Sequence, residues 1–355
     1  MRLLGSFGST ALERRMNYYK TCSWSPDGSS FITSNHQNHL SVFYYTPEWM
    51  MQDDCSSKIF MPTVDIPFAE NIYDFEFYPL MNSMDPATCC FLVSCRDHPL
   101  RLFDATSGLV RASYITIDHV DQITAPHAVA FNLDGSKILC GFENSIQIFD
   151  TCFPGKECLR VPLTTCRKSS DGIKGIVSSI AFNPDYSGLY ALGLFSGTIG
   201  LFDERNNDLL DTRQESKGVT QVEFTKDGTR LVAASRKSHN IRIYDLRNTG
   251  ECLFTLKREA DTNQRIKFSF DPTGRFLLTG DLSGNVSIYD LESQEEDKLV
   301  KQILCHKDVC SSAVHHPYLP LVVTTSGHRR PEDALGFEDT HVSRDARVCL
   351  WKDLL

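Results

Sequence analysis

This sequence predicts an all-β fold of seven four-stranded blades, the last of them closed by a strand from the N-terminal segment. Three observations carry the prediction. A unit of two short apolar runs, two turns and a terminal aromatic-Asp pair recurs along the chain, as in DPTGRFLLTGDLSGNVSIYD over residues 271–290. Its terminal aspartates, Asp104, Asp150, Asp203, Asp245 and Asp290, stand 46, 53, 42 and 45 residues apart. Each apolar run is short, alternating and bounded by Gly, Pro, Asn, Asp or Ser, which is the pattern of strands and turns.

The elements follow in order. Blade 1 is the degenerate copy CSWSPDGSSFITSNHQNHLSVFY. Blade 2 reads YDFEFYPL and then CCFLVSCRDHPLRLFD to Asp104. Blade 3 is HAVAFNLDGSKILCGFENSIQIFD to Asp150, and blade 4 is SSIAFNPDYSGLYALGLFSGTIGLFD to Asp203. Blade 5 is TQVEFTKDGTRLVAASRKSHNIRIYD to Asp245. Blade 6 takes strand a from RIKFSF, strands b and c from the stretch quoted above and strand d from KLVKQIL. Blade 7 is AVHHPYLPLVVTTSGHRR with DARVCLWK. A period of about 40–45 residues holding four strands is the signature of WD40 repeats. Seven copies predict a seven-bladed WD40 β-propeller.

Leu355 follows Trp351 too closely for blade 7 to own a fourth strand. RLLGSFGS, within residues 1–20, is suited to supply it, and residues 21–355 then form the propeller. This closure hides two sheet edges that would otherwise invite aggregation. The repeated Phe103, Phe149, Phe202, Tyr244 and Tyr289 are expected to pack between blades. The aspartates that follow them are expected to accept N–H bonds from the next turn.

Composition narrows the function classes. The chain is 41% hydrophobic and 23% charged, ordinary for a soluble globular protein. It holds no apolar run long enough for a membrane-spanning helix. The N-terminus is too broken by glycine for a secretory signal. Arg2, Arg14 and Arg15 among Ser and Thr faintly resemble a mitochondrial presequence, a reading that closure by the same segment argues against. A net charge of −9 argues against non-specific coating of nucleic acid or anionic membrane. Thirteen cysteines without a C-x-x-C pair read as reduced thiols, many of them packed as small apolar residues. Phosphate-loop, dinucleotide, zinc-protease and serine-hydrolase motifs are missing. His315-His316 sits in strand a of blade 7, where one ring is expected to pack and the other to face solvent, so no metal site is expected. No catalytic residue, cofactor or metal is expected.

The b–c turns and d–a connections of a propeller share one face, here called the top. Arg96 and His98 fall in the b–c turn of blade 2, and Arg236, Lys237 and His239 in that of blade 5. Arg329 and Arg330 fall in the b–c turn of blade 7. Arg265 ends the connection into blade 6, and His119 and His127 belong to the connection into blade 3. Guanidinium forks suit phosphates and base edges and stack on bases. Surface turns also carry such residues for internal ion pairs alone, and both readings stand on the residues by themselves. Asp281 on the same face cuts against a surface for phosphate only. Residues 45–70 and 327–346 form long loops, the first expected to contain strand d of blade 1.

Several segments go beyond propeller grammar: NIYDFEFYPLMNSMDPAT, RLFDATSGLVRASY, HVDQITAPHAVAFNLDGSKILCGF, GIVSSIAFNP, TNQRIKFSFDPTGRFLLTG and HPYLPLVVTTSGHR. With the interrupted last blade, they make the sequence resemble the telomerase Cajal body protein 1 family of WD-repeat proteins over essentially the whole chain. The resemblance implies a non-enzymatic RNA-binding subunit. Family members recognise a short loop motif in small Cajal body RNAs (scaRNAs) and in telomerase RNA, and promote localisation of those ribonucleoproteins. The implied partners are such small nuclear or Cajal body RNAs and the proteins of H/ACA-type ribonucleoproteins, with no membrane. The resemblance also implies folding by the cytosolic chaperonin, and residence in the nucleus, in Cajal body or nucleoplasm, with the cytoplasm as a further compartment. Animal members carry a long acidic, proline-rich region before the propeller. About twenty residues precede blade 1 here, so the resemblance does not carry the functions of that region over to this chain. The alternative is a protein-interaction scaffold on spliceosomal small nuclear ribonucleoproteins, acting in pre-mRNA splicing without direct RNA contact.

Overall fold

The computed structural model describes residues 2–8, 17–51, 58–118, 120–164, 172–247, 252–329 and 345–352. They form seven sheets built on the four-stranded antiparallel pattern of a seven-bladed WD40 β-propeller. The chain divides into two compact units, Met1–Ala69 with Arg258–Leu355, and Glu70–Lys257.

The second unit holds blades 2 to 5. Blade 2 consists of Ile72–Phe77, Cys90–Cys95, Leu100–Asp104 and Val110–Tyr114. Blade 3 consists of Ala128–Phe131, Lys137–Gly141, Ser145–Asp150 and Leu159–Pro162. Blade 4 consists of Val177–Phe182, Leu189–Leu194, Thr198–Asp203 and Leu209–Gln214. Blade 5 consists of Val219–Phe224, Arg230–Ser235, Asn240–Asp245 and Cys252–Lys257. The middle strands are buried on both faces, which is why they read as nearly unbroken apolar runs. Blades pack through these faces: Leu92 and Leu100 of blade 2 meet Phe131, Ile138 and Phe149 of blade 3. Ala128 and Leu139 of blade 3 meet Tyr190, Leu192 and Phe202 of blade 4. Each fully buried aromatic contributes about 1.5–3 kcal/mol over its exposed state.

The first unit holds blades 1, 6 and 7. Blade 1 consists of Tyr19–Trp24, Ser30–Asn35, His39–Tyr44 and Val64–Pro67. Its fourth strand lies inside residues 45–70, after a short helical turn, Glu48–Met51. Blade 6 consists of Phe268–Phe270, Phe276–Gly280, Asn285–Asp290 and Leu299–Leu304. Its first turn shows why the DPTG sequence recurs in variants. Asp271 accepts from the N–H groups of Thr273 and Phe276 at 3.0 and 2.7 Å, and Gly274 takes φ +77°, a conformation glycine adopts without penalty.

Blade 7 consists of Cys310–His315, Leu321–Ser326 and Arg347–Lys352, and Arg2–Gly8 pairs antiparallel with the last of these. The register runs from Arg2 opposite Lys352 to Gly8 opposite Arg347. Lys58–Ile59 then adds a short parallel partner against Gly5 and Ser6. Most of the 327–346 loop, residues 330–344, lies outside the described residues.

The terminal aspartates behave as turn acceptors. Asp104, Asp150, Asp203, Asp245 and Asp290 each take the N–H two residues on, at 2.8–3.0 Å. His315-His316 departs from expectation: both rings are buried. His315 Nδ1 meets the His316 carbonyl at 2.7 Å. His316 Nε2 donates to the Gly28 carbonyl at 3.0 Å while Nδ1 accepts from the N–H groups of Tyr318 and Leu319. The turn Pro317–Leu319 folds back over the second ring, so it does not reach solvent.

Candidate nucleic-acid interface

The second unit carries two arginine-bearing turns on its top. In the b–c turn of blade 2, Arg96 and Asp97 are both exposed, 3.3 Å apart, and His98 Nδ1 meets the Arg96 carbonyl at 2.8 Å. Arg96 acts electrostatically on Tyr73 of strand a, whose hydroxyl pKa is raised chiefly by burial and opposed by that arginine. Tyr73 stacks on His127, with ring centroids 5.0 Å apart and planes 28° from parallel. Burial holds the His127 imidazole below its ordinary pKa, against a small opposing pull from Glu143.

The b–c turn of blade 5 presents Arg236 and Lys237, both exposed. Arg236 is pinned by its N–H to the Gly218 carbonyl at 2.8 Å, and its guanidinium sits over the Phe195 ring at 5.6 Å. Lys237 adopts φ +49°, and its carbonyl accepts from Lys217 Nζ. The exposed Arg236–Phe195 pair contributes about 0.5–1 kcal/mol.

In the first unit, TNQRI packs against the blade 7 turn. Gln264 Nε2 donates to the Gly327 carbonyl at 2.9 Å, and Gln264 Oε1 accepts from the Arg329 N–H at 3.4 Å. Thr262 Oγ1 meets His328 Nε2 at 3.3 Å. Gly327 takes φ +122°, and a Cβ there would stand 2.5 Å from Tyr18 Cβ. The loop can come this close only because position 327 lacks a side chain. Arg329 is exposed beside the stacked pair Tyr18–His36, whose centroids are 4.7 Å apart and planes 16° from parallel. Burial raises the Tyr18 pKa, and Arg329 opposes it. Burial lowers the His36 pKa, and the charges of Lys20 and Arg329 add to that.

Arg265 is half-buried next to the Gln264 clamp. Asp281 is buried and accepts from Asn285 N–H and Nδ2, each at 2.8 Å, and from Gln302 Nε2 at 3.2 Å. Its carboxylate oxygens are turned to these neutral donors inside blade 6. His119 and Arg330 lie outside the described residues. The structure thus gathers Arg96 with Tyr73 and His127, Arg236 with Phe195, and Arg329 with Tyr18, His36 and Gln264. From the sequence, the cations and His127 were candidates, and Tyr18, His36, Tyr73 and Phe195 were not. Tyr18, His36, Tyr73 and Phe195 lie at or beside strand ends, where an aromatic reads as ordinary packing. Among the described residues, no cluster of His, Cys, Asp and Glu is arranged to hold a metal ion.

Comparison with known proteins places the chain among WD-repeat proteins. The WD domain, G-beta repeat family matches residues 208–245 and 250–290. Telomerase Cajal body protein 1 of Mus musculus is 36% identical over 334 residues, 92% of this chain and 62% of that protein. Its Homo sapiens counterpart is 35% identical over 352 residues, 94% of this chain and 64% of that protein. Guanine nucleotide-binding protein negative regulator 1 of Schizosaccharomyces pombe is 29% identical over 280 residues, 75% of this chain and 69% of that protein. The chain spans a little over three-fifths of the length of the two mammalian relatives, 62% and 64%. With the repeat match and an identity sustained over nine-tenths of its residues, the chain belongs to the telomerase Cajal body protein 1 family of WD-repeat proteins.

Proposed function

We propose that the protein is a non-enzymatic WD-repeat scaffold that binds an unpaired stretch of a small RNA on its top turns and serves in assembling and localising that ribonucleoprotein in the nucleus. The class of RNA is that of the family: small Cajal body RNA, telomerase RNA or another H/ACA-type RNA. One observation carries the reading. Arg96, Arg236 and Arg329 are exposed in equivalent b–c turns; the Arg236 guanidinium lies over the Phe195 ring at 5.6 Å, and the charges of Arg96 and Arg329 reach the hydroxyls of Tyr73 and Tyr18. A cation close to an aromatic side chain is the local chemistry that single-stranded nucleic acid calls for, phosphate and base together.

The test is a binding titration with single-stranded RNA. Arg236→Ala/Lys237→Ala, Arg265→Ala and Arg329→Ala are compared with Lys156→Ala/Arg160→Ala, a pair beside and within the fourth strand of blade 3. The expected result is a loss of about 1–3 kcal/mol for an arginine that reads a base, by analogy with bidentate readout, and little change for the control pair. Equal weakening by the control pair would remove the top-face assignment. No effect from either set, with continued association in cells, would move the contact to protein and favour the splicing-scaffold alternative. Crosslinking and sequencing of the bound RNA identifies the client.

A further inference from the structure

Resting on the RNA-binding reading above, we propose that the two tyrosine–histidine stacks, Tyr18–His36 beside Arg329 and Tyr73–His127 beside Arg96, are each a stacking seat for one unpaired RNA base. The two stations lie in different units and share one construction. A tyrosine at the start of a strand a lies nearly parallel to an imidazole from a neighbouring top connection. All four rings are half-buried. Backbone bonds fix the imidazoles: the His36 N–H donates to the Tyr18 carbonyl and the His127 N–H to the Gly141 carbonyl, both at 2.8 Å.

The unspent ring nitrogens separate these histidines from structural ones. His306 Nε2 meets Thr324 Oγ1 at 2.7 Å, both nitrogens of His316 are bonded, and His39 Nδ1 meets Asp65 at 2.9 Å. Among the described residues, the imidazole nitrogens of His36 and His127 and the hydroxyls of Tyr18 and Tyr73 make no hydrogen bond. A stack that served only packing would have no use for four open polar edges in two separate places. Burial holds both imidazoles below their ordinary pKa, so each is neutral at pH 7 and offers one donor and one acceptor. A planar platform, an adjacent guanidinium and a neutral donor–acceptor edge match a splayed-out base with its phosphate. An acidic peptide side chain would also meet the guanidinium, but it brings no planar face to the stacked rings.

The experiment uses the full chain, a single-stranded RNA 12-mer and an abasic ribose-phosphate oligomer of the same length. The wild type is expected to bind the RNA at least about tenfold more tightly than the abasic oligomer, given base stacking of the usual strength. Tyr18→Leu and Tyr73→Leu are each expected to cost about five- to hundredfold for the RNA, with no change for the abasic oligomer or in the salt slope. Tyr18→Phe and Tyr73→Phe are expected to keep most of the affinity. Scanning 2-aminopurine along the RNA is expected to reveal bound positions whose quenching each leucine variant relieves. Wild type that binds both oligomers equally overturns the stacking seats and leaves RNA binding standing. Wild type that binds neither overturns both. Should a leucine variant fail to fold, the wild-type comparison and the 2-aminopurine scan still decide.

Discussion

Asp345, His306, Thr324 and Trp351 form a buried chain across blade 7. Trp351 Nε1 donates to Thr324 Oγ1 at 2.7 Å, His306 Nε2 meets the same hydroxyl at 2.7 Å, and His306 Nδ1 faces Asp345 Oδ2 at 3.4 Å. Asp345 also accepts from the Lys307 N–H at 3.0 Å and from Arg347 Nε and Nη2. Burial alone would raise its pKa. The His306 ring facing it and the bonds from Arg347 and the Lys307 N–H outweigh that and hold it well below the ordinary carboxylate range. The folded pKa is thus depressed, and the stabilisation is complete above the unfolded value of about 3.9 and lost as pH falls below it. Asp345→Asn is expected to lower the unfolding free energy at pH 7 by about 3 kcal/mol if Arg347 is left unpaired, read as a lower urea midpoint. It is also expected to flatten the loss of stability below about pH 4. Urea titrations of both proteins from pH 7 to 3 check both halves, and an unchanged acid slope would show that Asp345 carries no share of it. The place of His306 is filled differently in other blades. Arg258 donates to Thr279 Oγ1 at 2.7 Å in blade 6, its pKa lowered by burial to about 10. In blade 5, Ala233 stands at the register position of Thr324, and Tyr244 donates straight to the buried Glu215 carboxylate at 2.5 Å.

At the scale of elements, the strand Arg2–Gly8 is the most consequential piece. Its register covers the whole length of Arg347–Lys352, and Leu3, Leu4 and Phe7 pack against the cores around Trp351 and Phe43. Removing residues 1–8 would uncover the edge of a strand that carries Val348, Leu350 and Trp351. That edge is a template for association with other chains. The truncated protein is expected to melt at lower temperature or to be recovered insoluble, and equal solubility and melting would refute the role given to the strand. The placement of this strand was legible from counting, because a repeat missing its fourth strand must borrow one. The aspartate turns were legible because their chemistry is local to a few residues. Lys58–Ile59 was not, since two residues carry no periodicity. The tyrosine–histidine stacks were not either, because each joins positions that only tertiary pairing brings together. His316 misled for the same reason: strand alternation placed its ring outward, and the turn after it supplied the cover.

The whole molecule carries a net charge of −9, and its proposed ligand is a polyanion. The two are compatible only if binding is local, with few phosphate contacts and a large share from bases. Four cations of the proposed surface are exposed among the described residues: Arg96, Arg236, Lys237 and Arg329. For a single strand, each neutralised phosphate adds about 0.7 to the slope of log affinity against log salt. Four contacts therefore set a ceiling of about 3. The expected slope for single-stranded RNA lies between about −1 and −3 from 50 to 200 mM salt, far shallower than that of a repressor coating DNA. Each alanine substitution at an engaged cation is expected to reduce it by about 0.7. Duplex of the same length is expected to bind more weakly, since it offers more charge to an acidic protein and no free base face. A slope steeper than about −5, or duplex binding as tight as single strand, would mean that other basic surface makes the contact and that bases do not supply the affinity.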